Sequence, residues 1–333
     1  MRGALAPRLM RNLAARLMAA DRLAELPDGI HVVLCGAGSP LPDPERSAPC
    51  VAIVAGGSLY LVDAGAAAAR NLQRVGLPVD QVRAVFLTHF HSDHIDGLGE
   101  LGVLRWAGGS HREPLPTFGP PGVERVVAGL RETYALDTGY RVAHHGPRVV
   151  PPTGAGLEAR RFEAPEPGAP REVWDQDGVR VTAFRVDHDP VDPTVGYHFD
   201  HAGRSVVLSG DTKKSAEVER MARGVDLLVH EALSPALVGI LTEAAEAAGL
   251  EGRAKITRDI LTYHTTPVQA AEIAQAAGAR HLLFYHIVPP LRVPGLEQAF
   301  LEGVSDAYKG EVTLGRDGTR ISLPARSDAI EVH

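Results

Sequence analysis

Cysteine is scarce in this sequence: Cys35 and Cys50 are the only two in 333 residues. They lie at the end of one predicted strand and the start of the next, so a bridge is open to them if those strands form a hairpin. So small a number fits two reduced thiols in a cytosolic protein, and that is the expectation. Long apolar runs are also missing. No stretch approaches the roughly 18 residues that a membrane-spanning helix requires. Positive charge is not in excess either, with a formal net charge of -7. Such a surface does not draw polyanions in general, and a nucleic-acid partner would need a local basic patch. No internal repeat of fixed period is found.

Acid is absent from the first 20 residues. Arg2, Arg8, Arg11, Arg16 and Arg22 are interleaved with Leu5, Leu9, Leu13 and Leu17, and the leucines recur every four residues on one helical face. The arginines interrupt every candidate core of a secretory signal, which needs roughly 7–15 continuous apolar residues. Residues 1–26 therefore read as a basic amphipathic arm, packing on the domain or on a second subunit. Membrane-peripheral placement or export through this segment is the minority reading, and the expected location is cytoplasmic.

What is present is an ordinary soluble composition, 44% apolar and 23% charged. From residue 27 to 333 one domain is expected. Short apolar runs at His31 to Leu34, Val51 to Val54, Leu59 to Val62 and Val82 to Leu87 read as strands. Further strands are expected at Val179 to Val186, Thr194 to Phe199, Ser205 to Leu208, Val225 to Val229 and His281 to Tyr285. Helices are expected at Ala66 to Val75, Ile95 to Trp106, Val123 to Leu130 (extending toward Tyr134), Ala236 to Ala248 and Val268 to Ala277. Residues 141–172, rich in Pro, Gly and Arg, read as loop and edge structure. Strands at the centre with helices outside make an α/β domain.

The apolar run Ala84 to Leu87 ends in Thr-His-Phe-His-Ser-Asp-His, residues 88–94. In an extended segment residues two apart point the same way, so His89 and His91 can grip one cation together. Asp93 and His94 lie where the chain turns into a helix and can address a second point. Imidazole and carboxylate are good zinc ligands. A lone histidine is usually structural, but three His and one Asp within six residues at a strand mouth are not a chance arrangement. Completing two sites needs more ligands at later strand ends, and the sequence offers His188, Asp211 and His286, each at the C-terminal edge of a predicted strand.

Together these residues resemble the metallo-β-lactamase superfamily from about Ile30 onward. Residues 88–94 match its His-x-His-x-Asp-His motif, and Leu61 to Gly65, Ser209 to Thr212 and His286 match the remaining motifs in order. The resemblance implies an αββα four-layer sandwich with the site at one edge. It implies two zinc ions, with manganese or iron as alternatives: one held by His89, His91 and His188, the other by Asp93, His94 and His286, and Asp211 shared between them. Asp63 is implied to support the ligand loop from behind. A hydroxide between the metals would be the nucleophile, with Asp93 orienting it.

His230-Glu231-Ala232 and His264-Thr265-Thr266 are similar to motifs of ribonuclease Z and its phosphodiesterase relatives. Carried over, Glu231 orients His264, and His264 is the general acid; His230 is expected to be structural. Gly196-Tyr197 extends the similarity. The common bacterial ribonuclease Z inserts a long tRNA-clamping arm between the positions matching His188 and Asp211, where only 22 residues lie here. In its early loop, Pro42-Asp43-Pro44-Glu45-Arg46-Ser47 departs from Pro-x-Lys-x-Arg-Asn. Tyr140-Arg141 is more like the arylsulfatase-type relatives.

The expectation is a dinuclear zinc hydrolase acting on a phosphodiester or sulfate ester, with a small-molecule ester preferred over nucleic acid as substrate. Alternatives are a lactone or β-lactam hydrolase, against which Asp211 argues in the second case, and a non-catalytic metal-binding interaction protein. A homodimer is expected, with Ser234 to Tyr263 or the basic arm supplying contacts. His111, His144, His145, His201 and His281 are read as structural and Trp106 and Tyr134 as packing residues; His198 is also read as structural, with facing the site as the alternative.

Overall fold

The computed structural model describes residues 22–333 together with residues 7, 9–11 and 14. Most of the basic arm expected at residues 1–26 lies outside the described residues. Two mixed sheets dominate. The first carries, in order, β15 (Glu331–Val332), β14 (Arg320–Pro324), β1 (Gly29–Gly36), β2 (Cys50–Ala55), β3 (Ser58–Val62), β4 (Val82–Phe86), β5 (Leu115–Gly119) and β6 (Leu157–Arg161). The second carries β13 (Glu311–Leu314), β12 (His281–Val288), β11 (Leu227–Leu233), β10 (Arg204–Leu208), β9 (Val191–His201), β8 (Val179–His188) and β7 (Arg171–Gln176).

Strand alternation builds the layers. Ile30, Val32 and Leu34 of β1 face Val179, Val181 and Ala183 of β8 across the space between the sheets. Phe86 anchors that inner core, stacked on Phe118 at 5.1 Å and edge-on to Phe199 at 5.7 Å. The other face of β1, with Val33 and Cys35, packs under the helices Ala68–Arg74, Leu98–Gly109 and Val123–Thr133. The outer face of the second sheet is covered by Ala216–Met221, Pro267–Ala277 and Leu296–Phe300. The result is the expected αββα sandwich.

Parallel pairing decides where the site lies. β3 to β6 run parallel, and so do β10 to β13, so their C-terminal ends share an edge in each sheet. The chain leaves β4, β10, β11 and β12 at that edge, and it is there that the predicted ligands fall. The helix Pro267–Ala277 is fixed at its start by a capping box between Thr266 and Gln269, with Pro267 in its first turn. That cap immediately follows His264 and Thr265.

Several expectations change. Cys35 and Cys50 are disulfide-bonded, not free. Antiparallel pairing of β1 with β2 brings their Cα atoms to 5.0 Å, within the span a disulfide needs. Residues 135–145 are helical, where residues from 141 onward were expected to be loop. This helix buries none of its residues, and Leu136 and Tyr140 stay exposed, so no core-facing stripe continues from the preceding helix. β6 and β7 do stand at sheet edges, as expected. The expected helix Ile95 to Trp106 is a short turn, Ser92–Ile95, followed by Leu98–Gly109. Strands β5, β13 and β14 and the helix Glu251–Asp259 were not foreseen.

Candidate metal centre

The loop after β4 brings the first ligand group together. His89 Nε2 lies 3.0 Å from His91 Nδ1, and the His89 and His94 rings are 4.1 Å apart. His188, the last residue of β8, joins them, its ring 5.2 Å from that of His89. Asp211 sits just past β10 and reaches both groups through Oδ2, 3.9 Å from His89 Nε2 and His188 Nε2 and 3.4 Å from His94 Nε2. His286 Nε2 is 3.2 Å from the same oxygen and 3.4 Å from Asp93 Oδ2. All seven predicted ligand residues therefore converge. Their donor atoms form one set from His89, His91, His188 and Asp211 and another from Asp93, His94 and His286.

The partners behind these side chains fix which atom faces inward. His94 Nδ1 donates to Asp63 Oδ2 at 2.8 Å, so Nε2 is the atom left for the centre. His188 Nδ1 donates to the Tyr263 carbonyl at 2.9 Å, again leaving Nε2. Thr88 Oγ1 lies 3.0 Å from His89 Nδ1 and itself donates to Asp63 Oδ2. Asp63 thus serves as a hub, accepting also from the Thr88 amide at 2.8 Å. Among the buried side-chain atoms without a hydrogen-bond partner are His94 Nε2, His188 Nε2 and Asp211 Oδ1. Buried polar atoms left unpaired are costly, and imidazoles backed by carboxylate or carbonyl acceptors are the usual setting for metal ligands. The donor set fits cations.

Charge coupling points the same way. Burial depresses the His89 imidazole well below its ordinary range, and those of His91 and His188 less strongly. At His94 burial again opposes the proton, but the Asp211 and Asp63 carboxylates outweigh it and raise the pKa well above normal. Burial pushes Asp211 up, yet His286 and His94 win and hold it well below the carboxylate range. Protons and cations compete for this cluster, so loading it releases protons.

Asp63→Asn tests the hub. The amide keeps the size but cannot accept from Thr88 and His94 together, so metal affinity is expected to fall about 10–100-fold. Competition with a chromophoric chelator measures it; an unchanged affinity would remove Asp63 from a supporting role.

A second group abuts the first. Glu231, fully buried in the second half of β11, accepts through Oε1 from three donors: His264 Nδ1 at 3.1 Å, the Thr265 amide at 3.0 Å and the Thr212 amide at 3.2 Å. The His264 ring stacks on His286 at 5.6 Å, and its donor atom falls within the group that includes Asp211 and His286. Burial lowers the His264 pKa, but Glu231, assisted by Asp211, more than reverses this and raises it. Sequence reasoning placed Glu231 and His264 together; it missed Thr88, Thr212 and the Tyr263 carbonyl, of which the backbone groups carry no side-chain signature.

Three other readings resolve. His198 does not face the site. Val195, Tyr197 and Phe199 point to the inner core, so His198 points outward, with Asp200 Oδ1 at 3.4 Å. His230 is buried and hydrogen-bonded through Nδ1 to the Glu231 carbonyl, a structural role. Trp106 packs, its indole donating to the Pro151 carbonyl at 2.7 Å.

Residues 43–256 match the profile of the Metallo-beta-lactamase superfamily. The chain belongs to this superfamily. A protein named Ribonuclease Z from Mycobacterium avium is 36% identical over 301 residues, covering 90% of this chain and all of the relative. One of the same name from Mycobacterium bovis is 33% identical over 299 residues, 89% of this chain and 99% of the relative. Among solved structures, human tRNase Z, short form, superposes with a TM-score of 0.60 at 23% identity over 88% of this chain and 99% of that one. The metallo-beta-lactamase fold protein YhfI from Bacillus subtilis gives 0.63 at 20% identity, over 89% of this chain and all of that one. As a superfamily member with an intact His and Asp cluster, the chain is a metal-dependent hydrolase. No described helix is long and apolar enough to cross a membrane.

Proposed function

We propose that this chain is a dinuclear zinc phosphodiesterase whose substrate class is RNA. The observation that carries the reading is the pairing of buried Glu231 with part-buried His264, lying against Asp211 and His286. The names of the mycobacterial relatives, shared over nearly the whole chain, support the same bond type. His89, His91 and His188 would hold one ion, Asp93, His94 and His286 the other, and Asp211 both. Bound there, the two ions supply a water acidic enough to be a nucleophile at neutral pH and offset charge on the phosphoryl oxygens. Residues 27–333 would form the hydrolase unit, with 1–26 an arm outside its core.

The chain's own residues do the rest. His264 Nδ1 is committed to Glu231, so Nε2 is the atom that faces a substrate. As the bond from phosphorus to the departing oxygen breaks, Nε2 gives that oxygen its proton and the Nδ1 hydrogen bond steadies the ring. Glu231 holds the ring's angle through the same contact. Asp93, 3.4 Å from His286, would steer the attacking water as well as bind.

A second reading, a small phosphodiester as substrate, is favoured by one specific feature. The chain between His188 and Asp211 is a tight hairpin of β9 and β10, turning at Ala202 and Gly203 with both in the left-handed region. No substrate-holding arm projects there. A side-by-side assay of zinc-loaded protein decides between the readings. Cleavage of a short oligoribonucleotide and of bis-nitrophenyl phosphate is expected, with little turnover of an aryl sulfate, a homoserine lactone or a cephalosporin. Turnover confined to the last two would overturn the phosphodiesterase assignment, and loss of the oligonucleotide alone would favour the small substrate.

A further inference from the structure

The wall of the cleft beside Asp93 carries an arginine that the mechanism above does not use. The cleft has a volume of about 770 Å³ and runs from the loop Ser39 to Ala48 past Ser92 and Asp93 to Arg292. Arg292 is exposed and has no ion pair or side-chain hydrogen bond among the described residues. The second guanidinium on this wall is already engaged. Arg46 is buried, donating to Glu297 Oε1 at 2.5 Å and to the Gly315 carbonyl at 2.9 Å.

The backbone under Arg292 is held in place. Leu291 is buried, and its amide donates to Asp43 Oδ2 at 3.1 Å. Pro289, Pro290 and Pro294 restrict the segment on both sides, since each ring fixes its own φ. The segment begins three residues after His286, so its position is tied to the metal centre through β12. A long cation held at its root, free at its tip, and facing a cleft that opens on a hydrolytic centre is placed to bind an anion on the substrate. Three carboxylates share the cleft. Asp43 is spent on the Leu291 and Glu45 amides, and Asp93 belongs to the ligand set. Asp96 is exposed and lies beyond ion-pair distance of Arg292.

Resting on the phosphodiesterase reading, we propose that Arg292 is a specificity-determining residue that grips a second phosphate, one nucleotide away from the bond being cut. The site then discriminates between a phosphodiester standing alone and the same bond inside a chain of phosphates. A guanidinium suits this task because its planar fork can donate two parallel bonds to one phosphate.

The test compares UpU, which has a single phosphate, with UpUpU. Arg292→Gln is expected to raise KM for UpUpU by about tenfold, the scale of a lost charged hydrogen bond, with kcat little changed. The loss on UpU is expected to be less than about threefold. Arg292→Lys should recover part of the UpUpU loss, since it keeps the charge and not the fork. Asp96→Asn is the control: if Asp96 held the guanidinium, this variant would reproduce the Arg292→Gln pattern.

Binding gives a readout independent of turnover. In a zinc-loaded His264→Ala background, fluorescein-labelled hexauridylate should bind about tenfold more weakly when Arg292 is Gln, with the salt slope reduced by about 0.7. Equal losses on UpU and UpUpU, or no change in either affinity or slope, would overturn the assignment of Arg292. If wild-type protein cleaves neither nucleotide nor bis-nitrophenyl phosphate, the phosphodiesterase reading fails instead, and the anisotropy experiment still decides on Arg292.

Discussion

Asp211→Ala is expected to lower kcat/KM by a factor on the order of 10³ or more and to cut zinc content from the proposed two equivalents per chain to one or fewer. The reason is geometric. One oxygen of Asp211 stands within 3.2–3.9 Å of imidazole nitrogens from both ligand groups, those of His286, His94, His89 and His188. Removing it takes away the single negative charge shared by the two halves and leaves imidazoles facing one another. Metal analysis after reconstitution, run beside bis-nitrophenyl phosphate kinetics, checks the result. A variant that kept two equivalents and most of its turnover would mean that the two groups act without a shared ligand.

The second large effect concerns the leaving group. His264→Ala should lower kcat about 10²–10⁴-fold on a ribonucleotide substrate, whose departing alkoxide needs a proton. On bis-nitrophenyl phosphate, whose nitrophenolate leaves unaided, the fall should stay within about tenfold. Glu231→Gln should show the same selectivity at smaller amplitude, since the amide can still hold the ring while donating nothing to its basicity. Because Glu231 Oε1 also accepts from the Thr212 and Thr265 amides, its circular dichroism and melting curve should be recorded alongside. Equal losses on both substrates would remove His264 from the acid role and leave it a packing partner of His286.

The ligand set was legible because each member lies near or just beyond the C-terminal end of a strand, and strands announce themselves by apolar runs. His188, Asp211 and His286 fall on one edge because β8, β10 and β12 run in the same direction, β10 and β12 through parallel pairing and β8 through two antiparallel pairings by way of β9. The cysteine pair was not legible in that way. Whether Cys35 meets Cys50 depends on the register of β1 with β2, which is shifted between Leu34 and Gly36. For His198 the structural reading holds over the alternative of facing the site, a choice made by one residue of phase in β9, which decides the layer a side chain enters. The helix Ala135–His145 escaped because its apolar residues meet no core, so burial does not organise its pattern. Tyr263 could be suspected from its sequence neighbour, but the part that acts is its carbonyl, and every residue has one.

Glu231 has one further implication. A single buried oxygen ties the residue after Asp211, the proposed acid His264 and the amide of Thr265, just ahead of the next helix, into one piece. The groups proposed to break the bond therefore form one block, with little freedom to adapt to molecules of different shape. Divergence in what this scaffold accepts should accumulate in the flanking walls, the loops Ser39 to Ala48 and Pro289 to Gly295. Engineering for new substrates should begin there and leave the block untouched.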